Sequence, residues 1–128
     1  MPETIAWSFS VAAAEGPRIY GSDSLAVDAY DKVSAELAAG DTDVDVEVQP
    51  SATAGRVRAL VIGSTNYESD VTYSADAGTT EFRLDGPVVL IGGGAVALLA
   101  DPPQILRFSN ASAAAVTVEI LVGRDSAP

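Results

Sequence analysis

The chain has 128 residues, of which 48% are hydrophobic and only 6% aromatic, and 18 acidic against 7 basic side chains give a net charge of −11. This length fits a single domain, 1–128, and the acidic balance argues against nucleic-acid partners and anionic membrane surfaces, which need clustered Lys and Arg. The absence of Cys and His removes disulfides, thiolate chemistry and the usual catalytic base.

The first segment alternates apolar and small residues with a period of two, which is the pattern of a strand. Ile5, Trp7, Phe9 and Val11 would share one face of a strand over 4–12, and we expect Trp7 in the core. Glu15-Gly16-Pro17 is a turn signal. A short strand over 18–20 and a loop over 21–24 are expected to follow.

The segment 25–39 is compatible with two structures. A short helix would place Val27, Tyr30 and Leu37 on one side, with Gly40 ending it. Two strands would place a turn at 31–32 and pair 33–37 with the next strand, 44–48, across the compact turn 40–42. We prefer the two strands and keep the helix as the alternative.

The strand that follows is acidic on one face. Val44, Val46 and Val48 alternate with Asp43, Asp45 and Glu47. The stretch 41–47 resembles a calcium loop, but with Asp41 as the first position the sixth and twelfth positions of an EF-hand would be Val46 and Ala52 instead of Gly and Glu. We therefore expect a solvated acidic face, and a surface cation held by these carboxylates is the alternative.

The remainder of the chain also indicates strands. The stretch 59–62 is apolar on both faces, as in a covered central strand, and further strands are expected over 71–73, 81–84, 88–91, 105–108 and 116–122. Turn signals recur every eight to twelve residues. We predict an all-β fold, a β-sandwich or jelly-roll-like domain of about eight to ten short, mostly antiparallel strands.

Two short motifs that resemble functional signatures are explained by turns and loops. The strand 88–91 and the following Gly92, Gly94 and Ala97 match the dinucleotide fingerprint, but too little chain follows for such a unit, and we interpret the glycines as a turn between two strands. Asn110-Ala111-Ser112 fits the glycosylation acceptor pattern, and we interpret it as a loop.

The sequence shows no set of residues for a reaction. We therefore predict no catalytic, cofactor-binding or metal-binding residue, no cofactor and no enzyme activity. The aromatic side chain expected to be exposed for contacts is Tyr67, in the loop-like stretch 64–69. The tips 66–70 and 102–104 are expected to make contacts as well.

Two passages resemble the small β-rich structural proteins of phage particles and phage-derived assemblies. One is the strand–turn–strand passage 37–50, and the other combines 106–110 with the closing strand 116–125. The resemblance implies a non-enzymatic decoration or tail-associated subunit that packs in symmetric copies.

The leading hypothesis is a structural protein that forms a symmetric homo-oligomer within or on a virion-like particle, with itself and other particle proteins as partners. The sequence starts without a basic and apolar leader, so we expect cytoplasmic synthesis without a signal peptide. The alternative is a β-sandwich that binds a carbohydrate or small ligand, using Tyr67 and the acidic face of Asp43, Asp45 and Glu47, with help from calcium.

Overall fold

A computed structural model describes residues 3–48, 57–67, 70–76, 80–99 and 103–125. These residues form ten strands, all paired antiparallel, and one helical turn, which confirms the predicted all-β sandwich-like fold. The elements are β1 (Glu3–Ala12), β2 (Arg18–Val27), β3 (Ala29–Leu37), β4 (Val44–Glu47), β5 (Val57–Ser64), β6 (Val71–Ala75), β7 (Phe82–Arg83), β8 (Val88–Ile91), α1 (Gly93–Val96), β9 (Ile105–Asn110) and β10 (Val116–Arg124).

Two four-stranded sheets enclose the core. The first sheet has the order β3-β10-β5-β8, and the second has the order β4-β9-β6-β7. Strand β10 shows why the sequence folds in this way, because its alternation places Val116, Val118, Ile120 and Val122 inward, each at most 2% exposed. Phe108 and Leu106 of β9 oppose them from the second sheet and are fully buried.

Strands β1 and β2 form a separate two-stranded sheet. They pair along ten residues, from Glu3 opposite Val27 to Ala12 opposite Arg18. We call this hairpin, residues 3–27, the arm. The expected loop over 21–24 lies inside β2, so the predicted short strand over 18–20 is in fact a ten-residue strand.

The segment 25–39 contains strands, as preferred, but the predicted turn and pairing were wrong. The interruption between the two strands β2 and β3 lies at Asp28, and not at 31–32. Strand β3 pairs with β10, and β4 pairs with β9 in the other sheet, so they are not hairpin partners. A turn at 38–41 carries the chain between sheets: Gly40 has a φ of 81°, and the Ala38 amide donates to Asp41 Oδ2 at 2.8 Å.

The helix considered over 25–39 is absent, and the helical turn lies at the glycines instead. Gly92, with a φ of 97°, ends β8, and α1 follows directly in place of the expected plain turn between strands. Val96 from α1 is 2% exposed and joins the core. No helix in the described part of the chain is long and apolar enough to cross a membrane.

Asn110 joins the two sheets at one end of the sandwich. It is the last residue of β9 and fully buried, so the acceptor pattern 110–112 does not lie wholly in a loop. Its Nδ2 donates to the carbonyl oxygens of Leu37, Ala38 and Ala114 at 3.1, 3.3 and 2.9 Å. Its Oδ1 accepts from the Ser112 amide and hydroxyl at 3.0 and 2.7 Å.

Candidate functional site

The acidic strand carries an ion pair across the second sheet. Asp45 lies opposite Arg107, whose Nε and Nη2 donate to its carboxylate at 2.8 and 3.3 Å. These hydrogen bonds, together with the positive charge, lower the pKa of Asp45 below its ordinary value. Asp43 precedes the strand with a φ of 55°. Within the described ranges, no group of three or more Asp and Glu side chains is arranged to hold a metal ion.

Tyr67 does not serve as the predicted exposed aromatic. Its ring packs against the core and is half-buried, and its hydroxyl oxygen accepts a hydrogen bond from the Ser64 amide at 3.0 Å. It therefore lies beside β5 of the first sheet, whereas the acidic strand β4 belongs to the second. The two parts of the expected ligand site thus belong to different sheets of the sandwich.

The predicted contact tips are described only in part. Residues 68–69 and 102 lie outside the described residues. Pro103 is buried, and the Gln104 amide donates to Asp76 Oδ1 at 2.8 Å, which fixes the start of β9.

The arm has one apolar and one polar face. Because directly paired residues point to the same side of a hairpin, β1 and β2 together make each face. The apolar face holds Ile5, Trp7, Phe9, Val11, Ile19, Gly21, Leu25 and Val27, and Asp23 is its charged member between the pairs Ile5–Leu25 and Val11–Ile19. The polar face is formed mostly by Ser and Ala, and near its tip Arg18 stacks over the Tyr20 ring at 4.8 Å.

The apolar face is exposed toward the tip of the arm. Phe9, Val11 and Ile19 are 44%, 68% and 70% exposed. Trp7 is half-exposed and stacks on Phe9, with ring centroids 5.9 Å apart, so the expectation that Trp7 belongs to the core was wrong. Gly21 lies opposite Phe9, and the Phe9 ring covers the space that a Cβ would occupy there.

The base of the arm packs on the outer face of the first sheet. Val27 is 1% exposed. A Cβ atom at Gly123 would lie 2.6 Å from Ile5 Cδ1, 3.3 Å from Val27 Cγ1 and 3.5 Å from Ala59 Cβ. Because Gly123 has no side chain, the base of the arm can occupy the space above it.

The next row of outward side chains on that sheet is open. The strand registers place Lys32, Leu121, Val61 and Val89 side by side across β3, β10, β5 and β8. Val89 is 56% exposed, and Leu121 and Val61 are half-buried. An open depression of about 340 Å³ is lined by Lys32, Leu121 and Val61 of this row, together with Gly63 and Glu119 of the next row.

The arm was missed as an exposed apolar surface because the sequence shows only half of its pattern. Alternation in β1 is plain, but in β2 Gly21 and Asp23 interrupt the apolar positions between Ile19 and Leu25. Alternation also gives the two faces of a strand without telling which of them the fold covers.

Comparison with known proteins adds no assignment. The chain matches no protein-family model, and no curated protein matches its sequence.

Proposed function

We propose that this protein is a non-enzymatic structural subunit that associates with copies of itself into a symmetric homo-oligomer within or on a virion-like particle. The observation that carries the proposal is the arm, whose apolar face is exposed at Phe9, Val11 and Ile19. A two-stranded hairpin is marginally stable by itself in water, so a long arm of this kind gains from a partner that covers it.

The size of the exposed face favours a closed assembly of several copies over association through a single arm. Covering the exposed parts of Phe9, Val11 and Ile19 would contribute roughly 3–5 kcal/mol per arm, at 1.5–3 kcal/mol for each full side chain. Association costs at least about 4 kcal/mol in lost rigid-body freedom. One arm barely offsets this cost, whereas a closed symmetric assembly uses an arm from every subunit.

The net charge of −11 fits the same function. Subunits of like charge repel each other wherever polar surfaces meet, and this repulsion opposes non-specific association. The arm, with its mostly uncharged apolar face, is the surface on which two copies can meet. The resemblance of 37–50, and of 106–110 with 116–125, to phage structural proteins supports the particle as the place of assembly, after synthesis in the cytoplasm.

The test is the native mass of the purified protein in solution. We expect a discrete oligomer for the natural chain and a monomer for the triple variant Phe9→Ser, Val11→Thr, Ile19→Thr, measured by analytical ultracentrifugation. The matched control carries Ser8→Thr and Ser10→Thr on the polar face of the arm, and it should keep the oligomer. A monomeric natural chain, or a triple variant with the natural mass, would overturn the proposal.

The particle is tested separately. Mass spectrometry of purified virion-like particles from the producing cells should detect this chain at a fixed stoichiometry to the main shell or tail protein. Its absence from such particles would restrict the proposal to the oligomer.

A further inference from the structure

We infer that the arm of one copy binds the row Lys32, Leu121, Val61 and Val89 on the first sheet of a second copy. We call these four residues the receiving row. This contact rests on the proposed self-association. Its two surfaces, the arm as donor and the receiving row as receiver, lie at different places on the same chain.

The receiving row is continuous with a contact that the structure contains. The outer face of the first sheet already accepts apolar side chains of an arm, because Ile5 and Val27 rest on Gly123. Gly123 lies two residues along β10 from Leu121, on the same face of the sheet. The receiving row thus continues a surface on which arm side chains pack.

The tip of the arm and the Val89 end of the receiving row are both open in the single chain. Val11 and Ile19 near the tip are 68% and 70% exposed, and Val89 at the end of the receiving row is 56% exposed. The arm therefore does not cover its own row. A surface that fits a different surface on the next copy gives a head-to-tail contact, which closes into a ring when the rotation permits.

The two surfaces match in length. Four neighbouring strands place the ends of the receiving row about 14 Å apart, at about 4.8 Å between strands. On the arm, the pairs Val11–Ile19, Phe9–Gly21 and Trp7–Asp23 follow at two-residue steps, which span about 13 Å at 3.3 Å per residue. An arm laid across the strands would therefore place one end on Val89 and the other on Lys32.

Charge fixes the direction of the arm. Asp23 is the charged residue of the three arm pairs that match the receiving row in length, and Lys32 is the charged residue of that row. With Val11 and Ile19 placed on Val89, Asp23 reaches Lys32, whereas the reverse orientation would place its carboxylate on Val89. Opposite charges across a contact fix register and orientation in this way.

The experiment uses two defective variants that restore each other. The arm variant, Val11→Asp with Ile19→Asp, keeps the receiving row, and the row variant, Leu121→Ser with Val89→Asp, keeps the arm. Each variant should be a monomer in analytical ultracentrifugation. Their equimolar mixture should form a 1:1 heterodimer and stop there, because only one of the possible contacts remains intact. Melting curves establish that both variants are folded.

The outcomes separate this inference from the proposed function. A natural chain that is monomeric overturns both. A row variant that keeps the natural oligomer shows that arms meet elsewhere, which overturns the inference and leaves self-association standing. Because a single arm contact is weak, the mixture is measured at high protein concentration, and a mixture that stays monomeric there also overturns the inference.

A second measurement does not depend on disruptive substitutions. The chain contains no Cys, so introduced thiols report only on the pair chosen. Mild oxidation should join Val11→Cys to Val89→Cys as a disulfide between two copies. Ser10→Cys, on the polar face of the arm, should not join to Val89→Cys. Equal yields from the two pairs would contradict the proposed orientation.

Discussion

Gly123 lies directly beneath Ile5, and the space where a side chain would start at Gly123 is filled by the Ile5 methyl group: a Cβ there would be 2.6 Å from Ile5 Cδ1. The contact joins the closing strand of the sandwich to the first strand of the arm. Because Val27 packs into the same place, the direction of the arm depends on one missing side chain.

The substitution Gly123→Ala should therefore loosen the arm. The added methyl group must displace Ile5 and crowd Val27, and overpacking of this kind costs about 1–3 kcal/mol. Trp7 is the only tryptophan of the chain and lies in the arm, so its fluorescence reports on the arm alone. We expect its emission to shift to longer wavelengths and the urea midpoint to fall.

Two further variants separate crowding from a general effect of losing glycine. Gly123→Ala combined with Ile5→Ala should recover the natural Trp7 emission, because the colliding methyl group is removed. Gly94→Ala, where nothing lies within 4 Å of the added Cβ, should leave stability unchanged or slightly raised. If Gly123→Ala matches Gly94→Ala in both measurements, the close contact of the arm with Gly123 has no structural role.

Asn110 is expected to be among the most sensitive positions of the sandwich. Asn110→Ala removes the buried donor to the Leu37 carbonyl oxygen and one of the two side-chain donors to the Ala114 carbonyl oxygen, and it leaves the Ser112 amide without an acceptor. Unsatisfied buried groups cost about 1–3 kcal/mol each, so we expect a loss of about 2–4 kcal/mol in the free energy of unfolding.

Urea denaturation measures this loss, and Ala113→Ser is its control. Ala113 is exposed in the same turn, so its substitution should change the free energy of unfolding by less than about 0.5 kcal/mol. Equal effects at the two positions would show that the hydrogen bonds of Asn110 do not join the sheets.

The existence of most strands could be predicted from the sequence, because alternation is a local property. Val44, Val46 and Val48 point inward as their period of two predicts. Pairing could not be predicted, because it depends on contacts between distant parts of the chain. Val44 lies opposite Phe108, whereas the sequence favoured a nearby hairpin partner. A short turn predicts a hairpin only when both strands stay in one sheet.

The candidate site was less predictable for a related reason. The pattern of Trp7 and Phe9 identifies an apolar face, and the usual destination of such a face is the core. Here the chain before Asp28 makes a hairpin outside the sandwich, so the same pattern leads to exposure. On the opposite face, small Ser and Ala residues continue over the length of two ten-residue strands. This run is the sequence signal that could have indicated a hairpin outside the sandwich.

The ion pair of Asp45 and Arg107 should make stability depend on pH at the acid end. The hydrogen bonds from Arg107 hold the pKa of Asp45 below its ordinary value of 3.8 in the folded protein. A carboxyl group with a lowered folded-state pKa stabilises the fold fully above its unfolded-state value, and this contribution is lost as the pH falls through the folded-state value. Asp45→Asn should therefore lower the urea midpoint at pH 7, and the difference should vanish well below pH 3.8.

The size of this effect is limited by solvent. Both partners are exposed on the sheet surface, so the deficit of Asp45→Asn at pH 7 should be small and should shrink further at about 1 M salt. Glu47→Gln removes a charge from the same face of β4 and should not reproduce the pH dependence. A deficit that is equal at pH 7 and pH 2 would contradict the assignment to this ion pair.

The orientation inferred for the arm predicts that the charges of Asp23 and Lys32 can be exchanged. Asp23→Lys and Lys32→Asp, each alone, should weaken self-association about tenfold, which corresponds to about 1.4 kcal/mol, because like charges would face each other across the contact. The double variant should recover the natural affinity within about threefold, as sedimentation at several concentrations would show. Lys32 also lies 3.6 Å from Glu119, both side chains being exposed, so Glu119→Gln controls for the loss of that weak pair. A double variant that associates as poorly as the two single variants would mean that Asp23 and Lys32 do not face each other between copies.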